Sequence, residues 1–214
     1  MNKEISHMRQ TYRKSSLNIA DLHPDPIESF KIWFQEAKNA EVPEPNVMTL
    51  ATADNKGNPS ARIVLLKGVD ERGFIFYTNY KSSKGEELVN NPRACLVFFW
   101  QELERQVRIT GSVEKVSREE SEVYFHSRPR ESQIGAWTSP QSKIIEDRDY
   151  LNERYEKMLS KFSESETIPI PDFWGGYIIV PETVEFWQGR PSRLHDRIIY
   201  TNKSNQWKKE RLAP

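Results

Sequence analysis

The chain has 214 residues, 36% of them hydrophobic and 11% aromatic, enough to build a buried core and too apolar for a disordered segment. Its 31 Lys and Arg residues balance 31 Asp and Glu residues. No global field therefore draws it to nucleic acid or a membrane surface, and any anion site must be a local arrangement of charge.

Residues 1–20 are polar and rich in Arg, Lys and Ser without an apolar period, and read as an N-terminal arm ahead of a single domain over 21–214. The start of the chain lacks an apolar signal core and no apolar run approaches membrane-spanning length, so a cytoplasmic protein is expected. At Asp25-Pro26 the pattern changes. A capping carboxylate, a first-turn proline and Ile27, Phe30, Phe34 and Ala37 at helical spacing predict a helix to about residue 40, ended by Pro43 and Pro45. Period-two alternation then predicts strands over 47–53, 61–66 and 74–78, separated by the turn sequences Asp54-Asn55-Lys56-Gly57-Asn58 and Asp70-Glu71-Arg72-Gly73.

A polar, helix-compatible stretch over 81–90 leads to strands over 94–100 and 105–116 joined by a charged hairpin turn. The single cysteine, Cys95, sits in the first of these runs, Ala94-Cys95-Leu96-Val97-Phe98-Phe99-Trp100, as a structural thiol; one cysteine excludes an intrachain disulfide and a thiolate metal cluster. Helices over 118–125 and 144–162 follow, then a polar loop over 163–171. Strands near 173–180, 182–188 and 194–201, with a short one around Trp207, complete the chain. Short strands in hairpin succession with inserted helices predict a mainly β (α+β) fold built on an antiparallel barrel rather than a βαβ sheet.

The common nucleotide cradles G-x-G-x-x-G and G-x-x-x-x-G-K-[ST] are absent, as are H-E-x-x-H and G-x-S-x-G. With histidines scattered at 7, 23, 126 and 195, no metal site is expected, and a phosphorylated cofactor would have to be held by side chains on a β scaffold. Four segments could do so. In Arg62-Ile63-Val64-Leu65-Leu66-Lys67 a cation stands at each end of an apolar strand, on opposite faces if alternation is strict. In Tyr77-Thr78-Asn79-Tyr80-Lys81-Ser82-Ser83-Lys84 hydroxyls and lysines meet a helix N-terminus, as a phosphate site or an ordinary serine cap. Tyr124, Arg128 and Ser132 form a phosphate clamp around Pro129, with His126 turned away in a structural role. Gln106, Gln141 and Ser142 add amides and a hydroxyl suited to a polar ring edge. A fifth segment, Phe186-Trp187-Gln188-Gly189-Arg190-Pro191-Ser192-Arg193-Leu194-His195-Asp196-Arg197, reads as a strand after a turn with Arg193, His195 and Arg197 on one face, suited to an anion or an electron-rich ring.

Together with Asn91-Pro92-Arg93, Glu104-Arg105-Gln106-Val107, Ser132-Gln133-Ile134-Gly135-Ala136-Trp137, Phe173-Trp174-Gly175-Gly176 and Arg211-Leu212-Ala213-Pro214, these strings resemble the pyridoxine/pyridoxamine 5′-phosphate oxidase family in order and spacing from about residue 8 to the end. The resemblance implies an antiparallel FMN-binding split β-barrel, working as a homodimer with FMN at the subunit interface, that oxidises pyridoxamine or pyridoxine 5′-phosphate to pyridoxal 5′-phosphate with dioxygen. By position it implies FMN contacts from Arg62, Ile63, Val64, Leu65, Leu66, Lys67, Tyr77, Thr78, Ser82, Ser83, Lys84, Gln106, Gln141, Ser142, Trp187 and Arg197. Substrate contacts would come from Lys67, Tyr124, Arg128 and Ser132 around the phosphate and from Arg193, Leu194 and His195 over the pyridine ring, with Arg9 and Tyr12 in an arm that closes over it. Arg193 and His195 would be catalytic; the imidazole, flanked by Arg193 and Arg197, is expected to be neutral and to accept a hydrogen bond or proton. Ser83 stands where the family often has arginine, leaving Lys84 and Arg62 to carry more of the FMN phosphate charge. The competing expectations are another split-barrel flavoprotein, of flavin reductase or general-stress type, and a carrier that binds FMN or pyridoxal phosphate without turnover.

Overall fold

The computed structural model describes residues 5, 7, 8, 11–204 and 206–214. Among the described residues, nine antiparallel strands form one curled sheet, and helices are inserted between them. Helix α1 (Pro26–Asn39) precedes strands β1 (Val47–Ala53), β2 (Pro59–Leu65), β3 (Gly68–Asp70) and β4 (Gly73–Asn79). Helix α2 (Ser83–Asn90) leads into β5 (Arg93–Trp100) and β6 (Arg105–Lys115). Helices α3 (Arg118–Ser127), α4 (Arg130–Thr138) and α5 (Arg148–Lys161) come next, and then β7 (Trp174–Gln188), β8 (Asp196–Lys203) and β9 (Gln206–Leu212). The path runs β2-β1-β5-β6-β7-β4-β3, with β8 also on β7 and β9 on β8. The segment after β2 bends back to β4, where Lys67 N–H donates to the Ile75 carbonyl at 2.8 Å and curls the sheet toward closure. No described helix is long and apolar enough to cross a membrane.

Alternation fixes which face is buried. On β5, Ala94, Leu96, Phe98 and Trp100 point inward; on β6, Val107, Ile109 and Val113 do so. Asp25 caps α1 by accepting the Ile27 N–H at 2.7 Å, and the buried stripe of α1 then fills the concave side of the sheet. Phe30 meets Phe74 edge-on at 4.9 Å and Phe98 at 5.0 Å, while Trp33 meets Phe186 at 5.0 Å. Each such pair contributes about 0.5–1.5 kcal/mol beyond its area. A second cluster, Phe125, Ile134, Phe162, Ile168, Ile170 and Trp174, packs the three later helices against the start of β7.

The helix over 26–39 and most strands fall where the sequence places them. Four elements differ. Strand β3 was not expected, its three residues being too few to show alternation ahead of the turn at Asp70. The two strands expected near 173–180 and 182–188 are one, β7. Pro181 sits where the β6–β7 register shifts between Thr110 and Gly111, so its missing N–H breaks no regular ladder. Helix α4 was not anticipated, because Pro129 ends α3 and also occupies the N-cap of the next helix. Strand β8 starts at Asp196 rather than 194, because Pro191–Arg193 forms a 3-10 turn with Ser192 and Arg193 in left-handed backbone, φ 57° and 61°. The bulge requires glycine: a Cβ at Gly111 would lie 1.9 Å from the Val180 carbonyl oxygen. Gly111→Ala is therefore expected to destabilise the fold by about 1–3 kcal/mol, read as a lower midpoint in urea unfolding; an unchanged midpoint would mean that the bulge does not need it.

Candidate functional site

One cavity of about 610 Å³ opens where β2, the end of β4, the start of β7 and the α3–α4 junction meet. It gathers Arg62, Ile63, Val64, Leu65, Lys67, Tyr77, Thr78, Lys84, Tyr124, Arg128, Ser132 and Gln141 from the sequence-predicted set. Arg62 and Lys67 line the same cavity, not opposite faces. Strand β2 ends at Leu65, so alternation does not extend to Lys67 in the bend that follows. The lining holds four cations, Arg62, Lys67, Lys84 and Arg128, and no carboxylate.

Each cation is placed by local structure. Ser82 caps α2 by accepting the Gly85 N–H, and the next turn of chain puts the Lys84 ammonium among Thr78 Oγ1, Ser82 Oγ and Gln141 Oε1 at 3.2–3.3 Å. Lys84 is 9% exposed and has none of the described carboxylates within ion-pair distance. Burial, and then Arg62, hold its ammonium below the ordinary lysine range, with Glu87 opposing. Arg62 is braced from behind by Ser60 Oγ at 2.5 Å, by Thr52 Oγ1 and by Glu87 at 3.3 Å. Arg128 is the extended residue before Pro129, where a proline ring forbids helix, and its guanidinium lies 4.8 Å over the Trp174 ring. Its Nη1 is buried with no hydrogen-bond partner among the described residues. A buried unsatisfied guanidinium N–H is costly, and an anion in this cavity would satisfy it. Tyr77, Tyr124 and Trp174 form a stack beside it, Tyr77 and Tyr124 at 3.9 Å.

A second cavity, of about 440 Å³, is lined by Met8, Thr11, Tyr12, Arg190, Ser192, Arg193 and His195, and shares no residue with the first. Trp187 packs against His195 at 4.6 Å, and Tyr12 meets Trp187 edge-on at 5.7 Å. The expected strand face of Arg193, His195 and Arg197 does not form, because the 3-10 turn carries Arg193 out of the strand. Arg197 instead bonds Glu185 at 2.7 Å and the Ala213 carbonyl. Gln106, Trp187 and Arg197 lie directly opposite one another across β6, β7 and β8, in one row on the outer sheet face. Burial, and then Arg193, lower the His195 pKa, a shift in the direction of the expected neutral form; Arg197 is not among its causes. Its Nδ1 accepts the Arg190 N–H at 3.0 Å, so the neutral ring carries its proton on Nε2 and donates there, rather than accepting.

Other sequence-predicted residues sit apart from both cavities. Leu66 is 7% exposed in the core, Ser82 and Ser83 serve the α2 N-terminus, Ser142 is exposed on its loop, and Leu194 is 69% exposed. Arg9 lies outside the described residues. His126 is structural, its Nε2 3.0 Å from the Ile168 carbonyl. Asn79, Pro129, Gly135, Ala136, Ser139 and Trp174 line the first cavity without having been singled out as contacts. Asn79 pairs with Trp174 across β4 and β7, a contact between residues 95 apart that no local pattern reveals.

A family model described as pyridoxamine 5′-phosphate oxidase matches residues 34–161, and one described as the pyridoxine 5′-phosphate oxidase C-terminal dimerisation region matches residues 174–214. A pyridoxine/pyridoxamine 5′-phosphate oxidase of Burkholderia thailandensis is 55% identical over 213 residues, covering 98% of this chain and 99% of that one. Among solved structures, PhzG from Burkholderia lata, in complex with tetrahydrophenazine-1-carboxylic acid, has a TM-score of 0.87 at 30% identity, covering 94% of this chain and all of that one. An FMN-binding protein related to pyridoxamine 5′-phosphate oxidase from Nostoc punctiforme shares the fold, with a TM-score of 0.71 at 16% identity over 90% of this chain and all of that one.

The Lys84 environment generates a test. Folding lowers its pKa, so holding its charge costs stability at neutral pH, a cost that fades as pH rises. Lys84→Met is expected to stabilise the ligand-free protein by roughly 0.5–2 kcal/mol in urea unfolding. The same variant should lose binding of inorganic phosphate by calorimetry. Loss of stability would show that the ammonium is structural.

Proposed function

The chain belongs to the pyridoxamine 5′-phosphate oxidase family, and we propose that it oxidises pyridoxamine or pyridoxine 5′-phosphate to pyridoxal 5′-phosphate, using FMN and dioxygen and releasing hydrogen peroxide; with the amine, water supplies the aldehyde oxygen and ammonia leaves. The observation that carries this reading is the first cavity: four cations, no carboxylate and an unsatisfied buried guanidinium N–H, in a volume that suits a nucleotide-sized ligand. Those residues fit a phosphorylated flavin beside a phosphorylated substrate. Lys84, Arg62, Thr78 and Gln141 would hold the FMN phosphate; Lys67, Tyr124, Arg128 and Ser132 would hold the substrate phosphate. When bound, FMN supplies the acceptor for the hydride from the substrate carbon and returns the electrons to dioxygen. The protein's part is orientation: anchoring the phosphate by a clamp held on α3 and α4 fixes the reacting carbon, and converts binding energy into rate.

Of the implied set, Gln106, Trp187, Arg193, His195 and Arg197 lie too far along the sheet to reach that cavity. From Gly176, opposite Tyr77, to Trp187 there is about 35 Å of strand at roughly 3.3 Å per residue. A second copy brings them in. The row Gln106, Trp187, Arg197 and the loop of Arg193 and His195 would close the cavity of the partner subunit, and strand residues 174–214 are those matched by the dimerisation region. In that assembly Arg193 lies over the substrate ring, and His195 donates from Nε2 to the substrate. Tyr12, beside His195, places the arm as a cover over bound substrate.

The direct assay is peroxide release on adding pyridoxamine 5′-phosphate to protein purified with FMN; protein that keeps FMN yet releases no peroxide is a carrier. Arg193→Ala should cut turnover far more than FMN affinity, by at least about 100-fold, and equal losses would assign Arg193 to the cofactor. Mixing inactive Arg128→Ala and Arg193→Ala subunits after reversible dissociation should restore about one quarter of native activity, since half of the twofold dimers then carry one intact site. Continued silence would place both residues in a site made by one chain. The His195 ring should titrate below the ordinary histidine value in ring-proton NMR, and rise toward it in Arg193→Ala.

A further inference from the structure

The arm is held to the body of the protein through a buried carboxylate that plays no part in either cavity. Glu104 follows the 3-10 turn after β5 and is itself in left-handed backbone, φ 54°. It is 8% exposed, and one of its carboxylate oxygens, Oε2, accepts the backbone N–H of Arg13 at 2.8 Å and of Lys14 at 3.0 Å. The main chain of the same residue faces the opposite way. Its carbonyl accepts the Gly189 N–H at 2.7 Å and the Gln188 side-chain amide at 3.2 Å. One residue thus ties the arm to the segment that leads into the Arg193 and His195 loop.

The seat is shaped as well as bonded. Tyr12, one residue before the bonded pair, lies directly on Gly189: a Cβ there would come 2.7 Å from Tyr12 Cγ. From that seat the Tyr12 ring reaches Trp187 at 5.7 Å and His195 at 5.9 Å. Beyond it the arm is held by Arg190, whose guanidinium donates to the Ser15 carbonyl, and by Leu17, 3% exposed, whose N–H donates to Asp196. A carboxylate oxygen buried away from water is favourable only when it accepts hydrogen bonds, and here the arm supplies both of those made to Oε2. Seating the arm and satisfying Glu104 are one event.

We propose that Glu104 is a positioning residue for the oxidase reaction: its carboxylate latches the arm at Arg13 and Lys14 and so sets Tyr12 over the His195 side of the substrate site. The proposal rests on the reading of the arm as a substrate cover, and the test separates the two. Amide hydrogen exchange over residues 11–16 of the FMN-loaded protein reports the latch, and steady-state kinetics with pyridoxamine 5′-phosphate report the cover. In Glu104→Ala, exchange there is expected to quicken about tenfold or more and KM to rise about tenfold, with FMN retention kept and kcat changed by less than about threefold. Glu104→Gln, whose amide oxygen can still accept both N–H groups, should restore slow exchange and low KM. Lys14→Pro removes the latch N–H of an exposed arm residue, together with the Nζ bond to the Glu102 carbonyl that Lys14→Ala removes alone, without touching the core. It tests the latch even if the buried substitution unfolds the protein, and its Arg13 amide should exchange several-fold faster than in Lys14→Ala. Native exchange rates in folded Glu104→Ala or in Lys14→Pro overturn the proposal. Fast exchange with an unchanged KM leaves the latch standing and overturns the cover.

Discussion

The ladder between β6 and β7 is the constraint from which the rest of the molecule hangs. Strand β7 pairs with β4 at its start, with β6 along its length and with β8 at its end. One strand therefore carries Trp174 at the first cavity and Trp187 at the second, and the register with β6 fixes what stands beside each. A slip of β7 by one residue would turn Trp187 into the core and Phe186 out of it. The bulge at Gly111 and Pro181 lets the strand run unbroken past a proline while the sheet bends.

Charge is distributed by the same logic. The chain is neutral overall, yet the charged side chains that line the first cavity are all cations, so its counter-charges are kept behind the lining or elsewhere. Glu87 braces Arg62 from the α2 side, while Lys84 and Arg128 face inward without a carboxylate. At the other end, Glu185 is 3% exposed; burial pushes its pKa up, but Arg197 and Arg108 outweigh that and hold it below the ordinary value. That ion cluster braces the row of Gln106, Trp187 and Arg197. One end keeps acid out of its lining, with Glu87 reaching only the back of Arg62, and is shaped for an anion; the other is internally compensated and shaped for a ring.

Much of this was legible in the sequence, because it is local. Asp25-Pro26 and the spacing of Ile27, Phe30 and Ala37 specify α1, and the alternation in 94–100 and 105–115 specifies which side of β5 and β6 is buried. Twelve residues of the first cavity were named from motifs. What the sequence did not show depends on backbone departures or on distant pairing. Lys67 shares a cavity with Arg62 because the strand stops between them. Arg193 leaves the strand face because Ser192 and Arg193 adopt left-handed backbone, which neither residue type announces. Helix α4 is short and has little period of its own. The separation of Arg128 from Arg193 into two cavities depends on the length of β7, which Pro181 disguised.

The proposed division of one ligand's contacts between the two ends of β7 would make loading and assembly a single equilibrium. A flavin held by walls from two chains would bind the pair and not the lone subunit, so each would strengthen the other by the same factor. Scarcity of the cofactor would then loosen the dimer, and dilution of the protein would release the cofactor. The amount of competent enzyme would respond more steeply than linearly to the supply of chain.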